Sequence, residues 1–163
     1  MVPVMNKKIE KIISYLQSEE IEYSYDEKKN ILNIVIGITN SGKNVVEQIY
    51  DYDNRSVFMI CISMKFGEAI NLNDKNLNYR LLEYLHRANN GMLRGSFEYD
   101  IDNKIIRFKH YFEKNTVSSR KYTMYNIGLP ITMFKKYMDG IDDIINTKKS
   151  PKSIIKRIEK DTD

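Results

Sequence analysis

The segment from Ser96 to Lys109 constrains the fold more than any other, because its strand pairing can be worked out from the residues alone. With Asp102-Asn103 as a two-residue turn, Tyr99 faces Ile106 and Phe97 faces Phe108. On the opposite side Glu98 meets Arg107 and Ser96 meets Lys109. One face of this hairpin is then apolar and the other carries an opposite-charge pair, which fixes the register. A slip of one residue would set Phe97 against Arg107 and Glu98 against Ile106, worse on both faces. The hairpin follows a helix in which Leu81, Leu82, Leu85 and Ala88 share a side, and Asn90-Gly91 offers a left-handed stop between the two.

The same periodicities extend to both ends of the chain. Ile9, Ile12, Ile13 and Leu16 predict a first amphipathic helix with Asn6 as its cap. Period-two alternation then predicts strands at Tyr23 to Tyr25 and Ile31 to Ile38, followed by strands at Val45 to Tyr52 and in the apolar run Val57 to Met64. After the second hairpin, 113–121 reads as a polar loop and 122–129 has no clear period. Pro130 suits the first turn of a last helix with Ile131, Phe134, Met138, Ile141 and Ile145 as its seam. That seam can serve as core or as a dimer surface. The order α-β-β-β-β-α-β-β-α, rich in hairpins and without βαβ alternation, predicts an α+β domain: an antiparallel sheet flanked by helices.

Residues 1–146 are expected to form this one domain, since 163 residues can bury roughly 70% of the unfolded chain's surface without disulfide or metal staples. Residues 147–163 read as a basic tail or a short helix. Six basic residues there stand against three acids, so most of the net charge of +4 lies in the tail. The lone cysteine, Cys61, sits in an apolar run as a small hydrophobe. No apolar run is long enough to span a bilayer and no leader is recognisable at the N-terminus, so a cytoplasmic protein is expected.

Motifs with chemistry in them weaken on inspection. Gly37-Ile-Thr-Asn-Ser-Gly42-Lys43-Asn44 matches a phosphate-binding loop except at the last position, whose hydroxyl ligates magnesium. It also precedes a strand rather than a helix. His86 and His110 stand singly and read as surface or boundary residues, with no metal-ligand spacing. Asp139, Asp142 and Asp143 lie opposite the apolar seam and read as a solvated face. No catalytic, cofactor-binding or metal-binding residue is therefore assigned. Nucleic acid is disfavoured as a partner; an alternative reading uses Lys148, Lys149, Lys152, Lys156 and Arg157 for nucleic acid or another anionic surface.

The string Leu81-Leu-Glu-Tyr-Leu-His-Arg-Ala-Asn-Asn-Gly-Met-Leu-Arg-Gly-Ser-Phe-Glu-Tyr-Asp, followed by Ile105-Ile-Arg-Phe-Lys-His, resembles the YbjN-like family of bacterial proteins. The later Phe134, Met138, Asp143 and Ile145 fit that family's closing helix, and the resemblance covers residues 6–146. It implies a fold like that of type III secretion chaperones, often paired into dimers, which bind extended segments of partner proteins without catalysis. Secretion chaperones are usually acidic, and this chain is basic. The resulting expectation is a non-enzymatic, chaperone-like or regulatory module that acts as a homodimer on a protein or peptide partner through apolar surface.

Overall fold

The structure, a computed structural model, describes residues 6–36, 45–52, 55–65 and 74–160. In chain order it contains α1 (Lys7–Ser18), β1 (Tyr23–Asp26), β2 (Ile31–Ile36), β3 (Val45–Asp51), β4 (Val57–Lys65), α2 (Lys75–Asn90), β5 (Ser96–Asp100) and β6 (Ile105–Glu113). A 3₁₀ turn at Lys114–Ser118, α3 (Arg120–Asn146) and α4 (Pro151–Lys160) complete it. The strands form one six-stranded sheet in the order β1-β2-β3-β4-β6-β5, so the expected mixed α+β architecture is present. By contacts the chain divides into two compact units, Met1–Ile62 with Lys109–Ile131, and Ser63–Phe108 with Thr132–Asp163. No helix among the described residues is long and apolar enough to cross a membrane.

In the first unit, α1 begins where expected: the Asn6 side chain accepts from the Lys8 N–H at 2.9 Å. The β1–β2 turn closes on Asn30, whose φ of 53° is tolerated because asparagine enters the left-handed region cheaply. The pairings Tyr23 with Ile34 and Ile34 with Glu47 run a continuous row across β1, β2 and β3. Ile9, Ile12 and Leu16 of α1 pack with Leu32, Ile34, Ile49, Phe58, Ile60 and Phe112 into the core of this unit. Cys61 is buried, as its apolar neighbourhood implies.

The second unit is organised around aromatic rings. Phe97 and Phe108 meet edge to face at 5.0 Å, as the hairpin register requires, and Phe97 also meets Tyr137 at 5.7 Å. Asn89 secures the edge of β5: its Oδ1 accepts from the Phe97 N–H at 2.7 Å and its Nδ2 donates to the Phe97 carbonyl at 3.0 Å. The side-chain amide thereby stands in for a neighbouring strand, which blunts an otherwise adhesive edge.

Four local expectations are corrected. Arg107 pairs with Asp100 Oδ2 at 3.1 Å, the diagonal position in the expected register, because Asn103 fixes that carboxylate beside the turn. Gly91 ends α2 at φ −90°, not left-handed; a Cβ there would lie 3.1 Å from Glu159 Oε1, the movable end of a side chain, so neither conformation nor space demands glycine. His110 is buried rather than at the surface. The last helix begins at Arg120 and holds Pro130 in its interior. Its first half has no apolar period because polar residues share its inward side with Ile127: Thr123 and Asn126 are fully buried, with Thr123 Oγ1 donating to the Ser119 carbonyl at 2.9 Å and Asn126 Nδ2 to the Tyr122 carbonyl at 2.8 Å. An apolar period cannot register a face made of satisfied polar groups.

Candidate interaction surfaces

Polar chemistry in the first unit concentrates beneath a cleft of about 280 Å³ lined by Asn6, Lys8, Arg55, Ser56, Lys114 and Asn115. Lys114 is buried, with its ammonium paired to Asp51 and donating to the Tyr52 carbonyl at 2.8 Å. Asn6 Nδ2 donates to the other Asp51 oxygen at 2.6 Å, so one residue caps α1 and completes this buried ion pair. The Phe58 ring lies 5.2 Å from the ammonium. Such a pair holds β3 to the chain after β6, and its groups are committed to each other.

Two further groups inside this unit escaped the sequence reading. His110 Nε2 lies 2.7 Å from Asn126 Oδ1; since the Asn126 amide nitrogen already donates to Tyr122, the histidine supplies the proton. Glu47 is fully buried, opposite Ile34 and two residues from Ile49, and neither carboxylate oxygen has a hydrogen-bond partner. Burial pushes its pKa well above the usual carboxylate range. The signal was present: in Val45-Val-Glu-Gln-Ile-Tyr-Asp, alternation puts Glu47 and Asp51 on the same face as Ile49. Among the described residues no group of three His, Cys, Asp or Glu side chains is placed to hold a metal ion. The phosphate-loop-like string at 37–44 lies outside the described residues.

Apolar surface is found on both units. On the sheet, Val35 and Val46 sit directly opposite each other and are 49% and 38% exposed. Beside them Gln48 Nε2 donates to Asn33 Oδ1 at 3.0 Å, and the Tyr50 hydroxyl to Gln48 Oε1 at 2.7 Å, a polar row across β2 and β3. In the second unit, α2 buries one apolar side and exposes two further apolar residues outside it. Leu81, Tyr84, Leu85 and Ala88 are buried, whereas Tyr79 and Leu82 stand out at 67% and 42% exposed, and His86 continues the same outer stripe. Of the expected seam of α3, Phe134, Met138 and Ile141 are buried within this chain; Ile131 and Ile145 are only partly buried, and Tyr137 and Ile144 take buried places instead.

The basic C-terminal residues are gathered on and before α4. Pro151, Ile154, Ile155 and Ile158 bury one side of this helix against the rest of the second unit, where α2 is its main neighbour. Gly140 makes the fit possible, because a Cβ there would overlap the Tyr84 hydroxyl and come to 2.6 Å of Ile158 Cδ1. Tyr84 donates to the Tyr137 carbonyl at 2.9 Å, and burial holds its hydroxyl protonated far above the ordinary range. Arg80 donates to the carbonyls of Thr147 and Lys149, both at 2.7 Å, pinning the link before α4. Asp143 is not merely solvated: Arg157 reaches it at 2.7 Å and Lys149 at 3.7 Å. Lys148, Lys152 and Lys156 are exposed.

No family model and no curated protein matches the chain. Among solved structures it is similar to the HopA1–SchA chaperone–effector complex, with 12% identity over 76% of this chain and 88% of that one and a TM-score of 0.41. A score of that size is too low to carry a function from one chain to the other.

Proposed function

We propose that this chain is a non-enzymatic protein-binding module, chaperone-like or regulatory, that pairs with a second copy of itself through apolar surface. The observation that carries the reading is the outer stripe of α2. Tyr79 and Leu82 lie three residues apart, outside the buried side of α2, and Tyr79 at 67% exposed is the kind of aromatic anchor on which interfaces depend. The well-placed ionisable groups support the non-catalytic part, because Asp51, Lys114 and Asp143 are engaged in holding elements together. Membership of the YbjN-like family, with the bacterial, cytoplasmic setting it implies, belongs to the same proposal; its shared Asn89 and Phe97 are hydrogen-bonded to each other here.

Sedimentation equilibrium on the full chain tests this. The expected result is a dimer whose dissociation constant rises at least about 30-fold in Tyr79→Lys/Leu82→Lys, as two lost anchors imply. The far-ultraviolet circular dichroism spectrum should be unchanged, since both side chains are exposed in the single chain. A wild-type chain that stays monomeric at every concentration, or a double variant that dimerises like wild type, would remove the basis of the reading.

A further inference from the structure

We infer that the outer face of α4 is a binding site for the phosphate backbone of a nucleic-acid duplex, built on Lys148, Lys152 and Lys156. This goes beyond the protein-binding reading and uses a different surface. Three observations carry it. First, α4 is held rigidly: its apolar side is buried, Arg80 fixes the preceding link, and Asp143 gathers Lys149 and Arg157 onto one carboxylate. One carboxylate cannot neutralise two cations, so these flanking residues keep an excess of positive charge beside the exposed row.

Second, helix stability does not account for the whole row. Arg157 and Lys160 occupy the last turn of α4, where a cation complements the helix dipole, and Lys148 follows the end of α3. Lys152 is in the first turn, with no acid beside it there, where its charge opposes the positive end of the helix. Third, residues four apart on a helix advance about 6 Å, close to the roughly 6.8 Å of axial rise over two steps of a duplex. Lys152 and Lys156 have that spacing, and Lys148 continues it in sequence.

A duplex is favoured over a lipid surface because membrane-binding amphipathic helices insert an apolar face, and the apolar face of α4 is already spent on the protein's own interior. Contacts of this kind read backbone rather than bases, so the site should be indifferent to sequence.

The test is fluorescence anisotropy with a labelled mixed-sequence DNA duplex and the full-length chain over a salt series, alongside co-sedimentation with phosphatidylserine vesicles. Binding should weaken with salt at a log–log slope of about −3, one counterion for each of three lysines. Lys152→Glu/Lys156→Glu should bind at least tenfold more weakly, while Lys7→Glu/Lys11→Glu on exposed positions of α1 should bind like wild type. An acid in the first turn suits the helix dipole, so the melting temperature of the α4 variant verifies that folding is intact. The proposal is overturned by no duplex binding at low salt, by equal losses in both variants, by an unaffected α4 variant, or by a chain that sediments with vesicles and ignores the duplex.

Discussion

Asp51, Lys114 and Glu47 put ionisable groups inside the first unit, whereas the ion pairs Glu83–Arg87, Asp100–Arg107 and Asp143–Arg157 of the second stay partly exposed around an aromatic interior. The difference separates two ways of making a structure specific. The Asp51–Lys114 pair in a low-dielectric core tolerates only the arrangement that keeps it paired, and Glu47, which has no partner, is held toward its neutral form. Close-packed rings and a missing Cβ achieve the same selection by shape. The first unit should therefore fail by losing a partner, and respond to pH through Glu47; the second should fail by gaining an atom.

Removing one partner of the buried pair is the largest expected effect. Lys114→Ala leaves Asp51 charged and enclosed, and should cost about 3–5 kcal/mol in urea denaturation. The double substitution Asp51→Leu/Lys114→Met removes both charges and should recover most of that loss. If the double variant is as unstable as the single, the pair is not what the core requires.

Next comes the steric counterpart. Gly140→Ala forces the Tyr84 ring and Ile158 off α3 and should cost about 1–3 kcal/mol as an overpacked contact. Shortening the opposing side chain with Tyr84→Phe in the same chain should return part of it, and a thermal melt series would show whether the two effects couple.

Glu47 sharpens the contrast through pH. Its folded pKa lies above the unfolded one, so folding takes up a proton between the two values. Its favourable contribution is complete below the ordinary carboxylate pKa and is lost as pH rises through the folded value. Stability of the wild type should fall over that window. Glu47→Leu should flatten the fall and add about 1–3 kcal/mol by replacing a buried unpaired acid, and Glu47→Gln should flatten it without the full gain. A slope that persists in both variants would assign the pH response to other groups. The smallest effect belongs to Asn89→Ala, about 1 kcal/mol for two hydrogen bonds to the β5 edge that water can replace. Amide exchange at Phe97 would report it directly.

What could be read from the residues depended on whether an element's buried face is apolar. α1, its Asn6 cap and the Leu32–Ile34 side of β2 met that condition and are found where the spacing places them; β3 did not, since Glu47 and Asp51 share its buried side with Ile49. The hairpin register brought Phe97 to Phe108 correctly but missed the diagonal choice of Asp100 by Arg107, since strand twist and a turn asparagine decide between two nearby acids. The first half of α3 was lost because Thr123 and Asn126 face inward, and Glu47 was passed over although its alternation with Ile49 was visible. Of the five basic residues considered for an anionic partner, sequence could group them but could not foresee that Lys149 and Arg157 would share Asp143.

By itself the sequence determined the order of helices and strands, the apolar side of most of them and the concentration of positive charge near the C-terminus, because these follow from spacing along the chain. Only the tertiary structure decided which polar groups are buried, that α4 packs on α2 over Gly140, and that Phe134, Met138 and Ile141 of α3 are core while Tyr79 and Leu82 of α2 remain outside. Periodicity specifies that a face must be covered; what covers it is supplied by residues far away in the chain, and their pairing has no period to read.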